Sequence, residues 1–175
     1  TYAEDNASFG FLRTNKFKSL ATRQAPRLAD LEQLAETIRA GLRLLPDNTP
    51  PPPRTPLPHA LTEGSADFIA EMLTGGNFNS HVHAWVNAEP GREAMLWEEF
   101  QRDMKANDSK PWFSPPDVKV RPKDLGYYMG YRIAQAYYET HADKQAAIAA
   151  ILTMKDPERF LRESGYAERM NRSAP

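Results

Sequence analysis

The chain has 175 residues, of which 41% are hydrophobic and 26% are charged, a balance typical of a globular protein. Its 22 Lys and Arg residues nearly offset its 23 Asp and Glu residues, and the resulting net charge of -1 argues against a nucleic-acid-binding protein. The lack of cysteine excludes disulfides, zinc fingers, iron–sulfur ligation and thiol nucleophiles. No apolar run approaches the length of about 20 residues that a membrane span requires.

A proline-rich segment divides the chain near residue 50. Four consecutive prolines occupy positions 50–53, and no helix can run through them because proline lacks the amide hydrogen and clashes with the preceding turn. We expect residues 46–58 to form an extended linker or junction between an N-terminal helical segment, residues 1–45, and a helical region, residues 59–170. A ligand for an aromatic-lined groove is the alternative interpretation of the prolines.

Helical patterns dominate on both sides of this segment. Apolar residues at intervals of three and four predict a helix at residues 27–45, and Pro58 and Gly75 mark the two ends of the next helix. Further helices are predicted at residues 91–106, 123–139, 143–154 and 156–165, and one short strand at residues 117–121. The fold class is therefore all-α or mostly α, with five to six helices. The helix at residues 91–106 is expected to bury four apolar side chains, Met95, Leu96, Phe100 and Met104.

The predicted helix at residues 123–139 is apolar nearly all round, which is typical of a central, buried helix. Gly126, Gly130 and Ala134 form a stripe of small residues, and the cost of glycine in a helix interior indicates that another backbone approaches closely there. Its tyrosine hydroxyls need hydrogen-bond partners when they are buried. Either these hydroxyls form hydrogen bonds within the core, or one of them points into a polar site.

Four side chains spaced four residues apart share one face of the predicted second helix: His59, Glu63, Asp67 and Glu71. This pattern is typical of an amphipathic helix with a solvated acidic side. A metal or acid/base site is the alternative, and His59, His81 and His83 are further candidates for metal ligands. His81 and His83 would lie on one side of a strand if that segment were extended. None of the four histidines lies in an H-E-x-x-H motif.

Several segments resemble blocks of a known family. Residues 63–75 resemble the E-G-x-A-D-F-[IL]-[AS]-E-x-x-[TS]-G block of the predicted zinc-dependent proteases related to gliding-motility lipoprotein B. Residues 96–100 look like the family's L-W-x-x-F segment, residues 122–133 resemble its D-L-G-Y-[YW]-[ILM]-G-Y-[RK]-I block, and residues 156–166 resemble its terminal segment. The resemblance covers roughly residues 57–168.

The resemblance implies the helical C-terminal part of a zincin-like metallopeptidase domain that acts on peptides or proteins. In a complete family domain, Glu63 would ligate zinc and Asp67 would hydrogen-bond a metal-bound histidine. One of Tyr127, Tyr128 or Tyr131 would stabilise the oxyanion. The resemblance also implies bacterial export, to the periplasm or to a lipid anchor.

The H-E-x-x-H helix of the family has no counterpart in this chain, because only the proline-rich segment fills the interval before Glu63. One carboxylate cannot hold a catalytic zinc, which needs about three protein ligands. We therefore expect zinc in the complete family domain, none in this chain, and no catalysis by the chain as it stands. The missing block is either a gap in the sequence or a natural loss.

A non-catalytic helical interaction module, with the proline-rich segment as a tether, is the main alternative function. It predicts that changes at Glu63 and Asp67 leave function intact, whereas changes at residues 50–53 alter it. A metal-free hydrolase that uses Glu63, Asp67 and His59 is a further alternative, and no other motif in the sequence supports it.

Overall fold

The computed structural model describes residues 28–43, 55–114 and 121–173. Two compact units divide the chain, Thr1–Leu34 and Ala35–Pro175, and the boundary falls inside the first helix. The described residues form nine helices and no strand. In chain order the helices are α1 Leu28–Arg43, α2 Pro56–Thr74, α3 Ser80–Asn87, α4 Arg92–Asp103, α5 Lys110–Phe113, α6 Leu125–Thr140, α7 Lys144–Leu152, α8 Pro157–Ser164 and α9 Tyr166–Ser173.

The predicted all-α character is confirmed for the described residues, but the number of helices exceeds the prediction of five to six. Three helices were missed: α3, α5 and α9. Each of them is at most eight residues long, too short for a clear apolar period. The strand predicted at residues 117–121 falls outside the described residues except for Arg121, which lies in no helix or strand.

Helix α2 begins at Pro56, two residues earlier than the predicted start at Pro58. Prolines are compatible with a first helical turn, because the amide groups there have no partner within the helix. Pro56 and Leu57 are buried, which favours this earlier start. The helix ends as predicted at Gly75, whose left-handed backbone (φ 71°) lets its amide bond the carbonyl of Glu71. The remainder of the predicted linker, residues 46–54, and residues 1–27 lie outside the described part of the chain.

Helix α6 is the central element of the larger unit, as its pattern predicts. It packs against α2, α3, α5, α7, α8 and α9, and a salt bridge joins it to α4. Leu125, Met129 and Ile133 are fully buried along one side, and Tyr128 and Tyr137 are buried on others. A helix that contacts neighbours on every side has no wide polar face, which explains its composition.

The closest packing in the fold joins α6 to α2. A Cβ atom on Gly130 would overlap the carbonyl oxygen of Ala60, and a Cβ on Gly64 would overlap the backbone at Tyr127 and Tyr131. Both glycines are therefore required by the approach of the two backbones. The expected close approach of another backbone is confirmed at Gly130, whereas Gly126 faces the side-chain ring of Phe113.

A polar cluster links α6 to α4 and α9 on another side. The guanidinium of Arg132 lies 2.9 Å from the carboxylate of Glu93, and the hydroxyl of Tyr166 donates to the same carboxylate at 2.8 Å. The side chains of Arg132 and Glu93 are only 26% and 23% exposed. Tyr166 is fully buried, so this cluster holds charge and hydrogen bonds inside the fold.

Two of the four core residues predicted for the helix at residues 91–106 are not buried. Met95 is 68% exposed and Met104 is half-buried, whereas Leu96, Trp97 and Phe100 are buried. The inward face of α4 therefore runs through Glu93, Leu96, Trp97 and Phe100, and Met95 projects from the opposite side. No helix in the described part of the chain is long and apolar enough to cross a membrane.

Candidate functional site

Three carboxylates stand on one face of α2, one turn apart, and we call Glu63, Asp67 and Glu71 the acidic face. All three side chains are partly exposed. Leu61 and Phe68, on the opposite side of the helix, are buried. Among the described residues, no Lys, Arg or His side chain forms an ion pair with any member of the acidic face. Uncharged donors meet these carboxylates instead.

Two of the donors come from residues 75–79, which we call the α2–α3 connection. The side-chain amide of Asn79 donates to Asp67 Oδ2 at 2.5 Å, and that of Asn77 donates to Glu71 Oε2 at 2.7 Å. The side-chain oxygen of Asn77 also accepts the backbone N–H of Asn79 at 2.8 Å. Both asparagine side chains therefore bind α2, and that of Asn77 also binds the backbone of Asn79. Between them, the ring of Phe78 is 74% exposed.

The tyrosines of α6 fall into different environments. Burial raises the pKa of Tyr127 to about 12, and the Glu63 carboxylate adds to the rise. Burial also raises the pKa of Tyr131, with the Glu71 carboxylate as the next cause. Both hydroxyls therefore stay protonated at neutral pH and can donate to the acidic face.

Tyr128 does not belong to the acidic face. Its side chain is 1% exposed, burial raises its pKa, and the next largest influence is Glu93, on the side of α6 that faces α4. Its hydroxyl has no hydrogen-bond partner among the described residues. Of the three predicted oxyanion candidates, only Tyr127 lies beside Glu63.

None of the histidine candidates belongs, with Glu63, to a group of three side chains that could hold a metal ion among the described residues. His59 Nδ1 is 2.9 Å from the hydroxyl of Ser109, and its ring stacks on Phe113 at 3.7 Å, so the imidazole is occupied by core contacts. His81 and His83 lie on helix α3, not on the strand that would have aligned them. Residues two apart on a helix point about 200° apart, and His81 is accordingly exposed while His83 is half-buried. The prediction that His81 and His83 lie on one side of a strand, as a pair of metal ligands would, is therefore wrong.

The described residues do not fit a zinc site. No group of three or more His, Asp and Glu side chains in the described ranges is arranged to hold a metal ion. A catalytic zinc takes three protein ligands and an open position, and Glu63 supplies only one.

Sequence reasoning did not identify Asn77 and Asn79. Their only sequence signal is a pair of amide side chains directly after Gly75 and Gly76, which predicts a turn and no more. Their roles depend on how the α2–α3 connection folds back on α2, which a local pattern does not specify.

His83 is set between the rings of Tyr128 and Tyr131, at centroid distances of 4.8 and 4.6 Å, with Nε2 3.3 Å from the Asn77 amide. Burial lowers the pKa of His83 below 6.5, against the opposing influence of Glu71. The unfolded chain therefore binds more protons at this site between the two pKa values, and the folded state is favoured as the pH rises. We expect the contribution of His83 to stability to be complete above pH 6.5 and to be lost as the pH falls through its folded-state pKa.

Urea unfolding between pH 5 and 7.5 checks this expectation. His83→Gln should flatten the fall in the free energy of unfolding on acidification, whereas His81→Gln, at an exposed position of the same helix, should leave the wild-type slope unchanged. Equal slopes for wild type and His83→Gln would show that His83 titrates alike in both states.

Comparisons of the chain with family models, with curated protein sequences and with solved structures gave no match.

Proposed function

We propose that this chain is the helical part of a zinc-metallopeptidase-like protein and that it does not hydrolyse peptides by itself. The main support is the way two segments that resemble the family lie in the fold. The E-G-x-A-D-F block forms much of α2, and the D-L-G-Y block begins α6. These two helices make the closest contact in the described structure, through Gly64 and Gly130.

The roles implied by the resemblance are consistent with this placement. Glu63 and Asp67 lie on one face, one turn apart, so a metal ligand and a residue that orients a metal-bound histidine could act side by side. A zinc ion would supply a Lewis acid in the complete domain. The two histidines and the general-base glutamate would have to come from an H-E-x-x-H segment, which this chain lacks.

Zinc binding and peptide hydrolysis test the proposal on the chain as it exists. We expect isothermal titration to detect no zinc binding in the micromolar range, and fluorogenic peptides to remain uncut with or without added zinc. Binding that is lost in Glu63→Ala but kept in Glu98→Ala, a change at an exposed glutamate of α4, would overturn the claim of inactivity.

Peptide mapping of the protein from its own cells tests the other half of the proposal. A longer protein with H-E-x-x-H peptides between Leu45 and Glu63 would make Glu63 and Asp67 residues of a working active site. A protein of the mass of this chain would favour the alternative, a non-catalytic interaction module. The exposure of Phe78, at 74%, and of Leu73, at 42%, is the structural observation that favours that alternative.

A further inference from the structure

Uncharged hydrogen-bond donors meet the acidic face at the positions where the family that the chain resembles would have a metal and a metal-bound histidine. Asp67, which the resemblance pairs with a metal-bound histidine, receives its hydrogen bond from Asn79 at 2.5 Å. Glu71, the next carboxylate along the face, receives one from Asn77 at 2.7 Å. Hydrogen bonds to a charged acceptor are stronger than those between neutral groups, so these two contacts are the firmest attachments of the α2–α3 connection.

The other hydrogen bonds of the connection run to the end of α2 and to α3, including that of the Gly75 amide to the Glu71 carbonyl and the contact of Asn77 with His83. Gly75, Gly76 and Phe78 are exposed, and Phe78 has no ring contact with the body of the protein within the described residues. Yet the segment ends at α3, whose Val82 and Val86 are buried and whose His83 lies between two tyrosine rings of α6. The position of α3 against α6 therefore depends on how the connection leaves α2.

We propose that Asp67 and Glu71 anchor the α2–α3 connection through the side chains of Asn79 and Asn77, and that this attachment is independent of any metal. The side-chain amides donate the hydrogen bonds, the carboxylates accept them, and the connection is held on α2 with Phe78 exposed. The two hydrogen bonds join described residues and do not require membership of the family.

Limited proteolysis with chymotrypsin measures the attachment directly, because Phe78 is an exposed cleavage site inside the connection. Loss of a charge-assisted hydrogen bond shifts a local opening equilibrium by about tenfold. We expect the rate of cleavage after Phe78, followed by mass spectrometry, to rise by about that factor in Asn79→Ala. Asn87→Ala is the matched control, since Asn87 is exposed at the end of α3 and its side chain makes no hydrogen bond among the described residues.

Asp67→Asn provides a second variant in case Asn79→Ala fails to fold, as judged by circular dichroism. It keeps an acceptor oxygen but removes the charge, so cleavage after Phe78 should rise above the Asn87→Ala control by a smaller factor. Zinc and EDTA should leave the wild-type rate unchanged.

Two results would overturn the proposal. The first is equal cleavage after Phe78 in the folded Asn79 or Asp67 variant and in the control. The second is protection of Phe78 by zinc in the wild type that disappears in Asp67→Ala. Hydrolysis of peptides by the chain would overturn the proposed function without bearing on this attachment, so the two failures are distinguishable.

Discussion

Replacement of Gly130 by alanine should unfold the helical body or destabilise it by more than about 4 kcal/mol. The added methyl group would occupy the position of the Ala60 carbonyl oxygen, and backbone atoms of a packed helix cannot move aside as the end of a side chain can. The free energy of unfolding of a typical domain is only about 5–15 kcal/mol, so this change would remove a large part of it. Thermal and urea unfolding followed by circular dichroism measure the effect.

Gly76→Ala is the control for this change. Gly76 has no neighbouring atom within ordinary contact range of a new Cβ except the side chain of Thr74, and its backbone does not need the left-handed region. We expect the control to change the free energy of unfolding by less than about 1 kcal/mol. A folded Gly130→Ala variant with wild-type stability would show that α2 and α6 do not approach as closely as described here.

Replacement of Glu93 by alanine should cost about 3 kcal/mol of stability. The change removes the acceptor for Tyr166 and the charge partner of Arg132 together, and it leaves a largely buried guanidinium without its nearest carboxylate. The pKa of Tyr166 is raised well above 10 by burial and then by Glu93, so the phenol is neutral and cannot compensate for the lost charge. Urea unfolding at neutral pH measures the loss.

Glu163→Ala is the control for an ion pair at the surface. Its partner Arg159 lies 2.7 Å away on α8, but the two side chains are 40% and 67% exposed. Exposed pairs contribute little because water and salt screen them, so we expect a much smaller loss of stability than in Glu93→Ala. Similar losses in the two variants would mean that burial adds nothing to the Glu93 cluster.

The helix boundaries that the sequence predicts best are those with a local chemical cause. Asp156 accepts the backbone N–H of Arg159 at 2.9 Å and begins α8, and Gly165 ends it with a φ of 66°. Such caps depend on residues a few positions apart, so a pattern in the sequence is enough to find them. The central position of α6 was likewise predictable from its composition.

The candidate site depends on contacts between elements, and these were not predictable. Glu63 and Asp67 stood out by their spacing, but the partners Asn77 and Asn79 reach the acidic face only because the connection after Gly75 folds back on α2. Helix α3 was missed for a related reason. Its eight residues are held by contacts with α4 and α6, and they carry too short a pattern to be recognised alone.

The glycine contact between α2 and α6 has a consequence for how the protein folds. The two helices that approach most closely are separated in the chain by α3, α4 and α5. Their contact can form only after that long intervening stretch has been closed into a loop, and the entropy lost in closing it is repaid only when the backbones meet. The larger unit should therefore gain its core in one cooperative step, and a chain cut short before α6 would leave the apolar side of α2 with nothing to cover it.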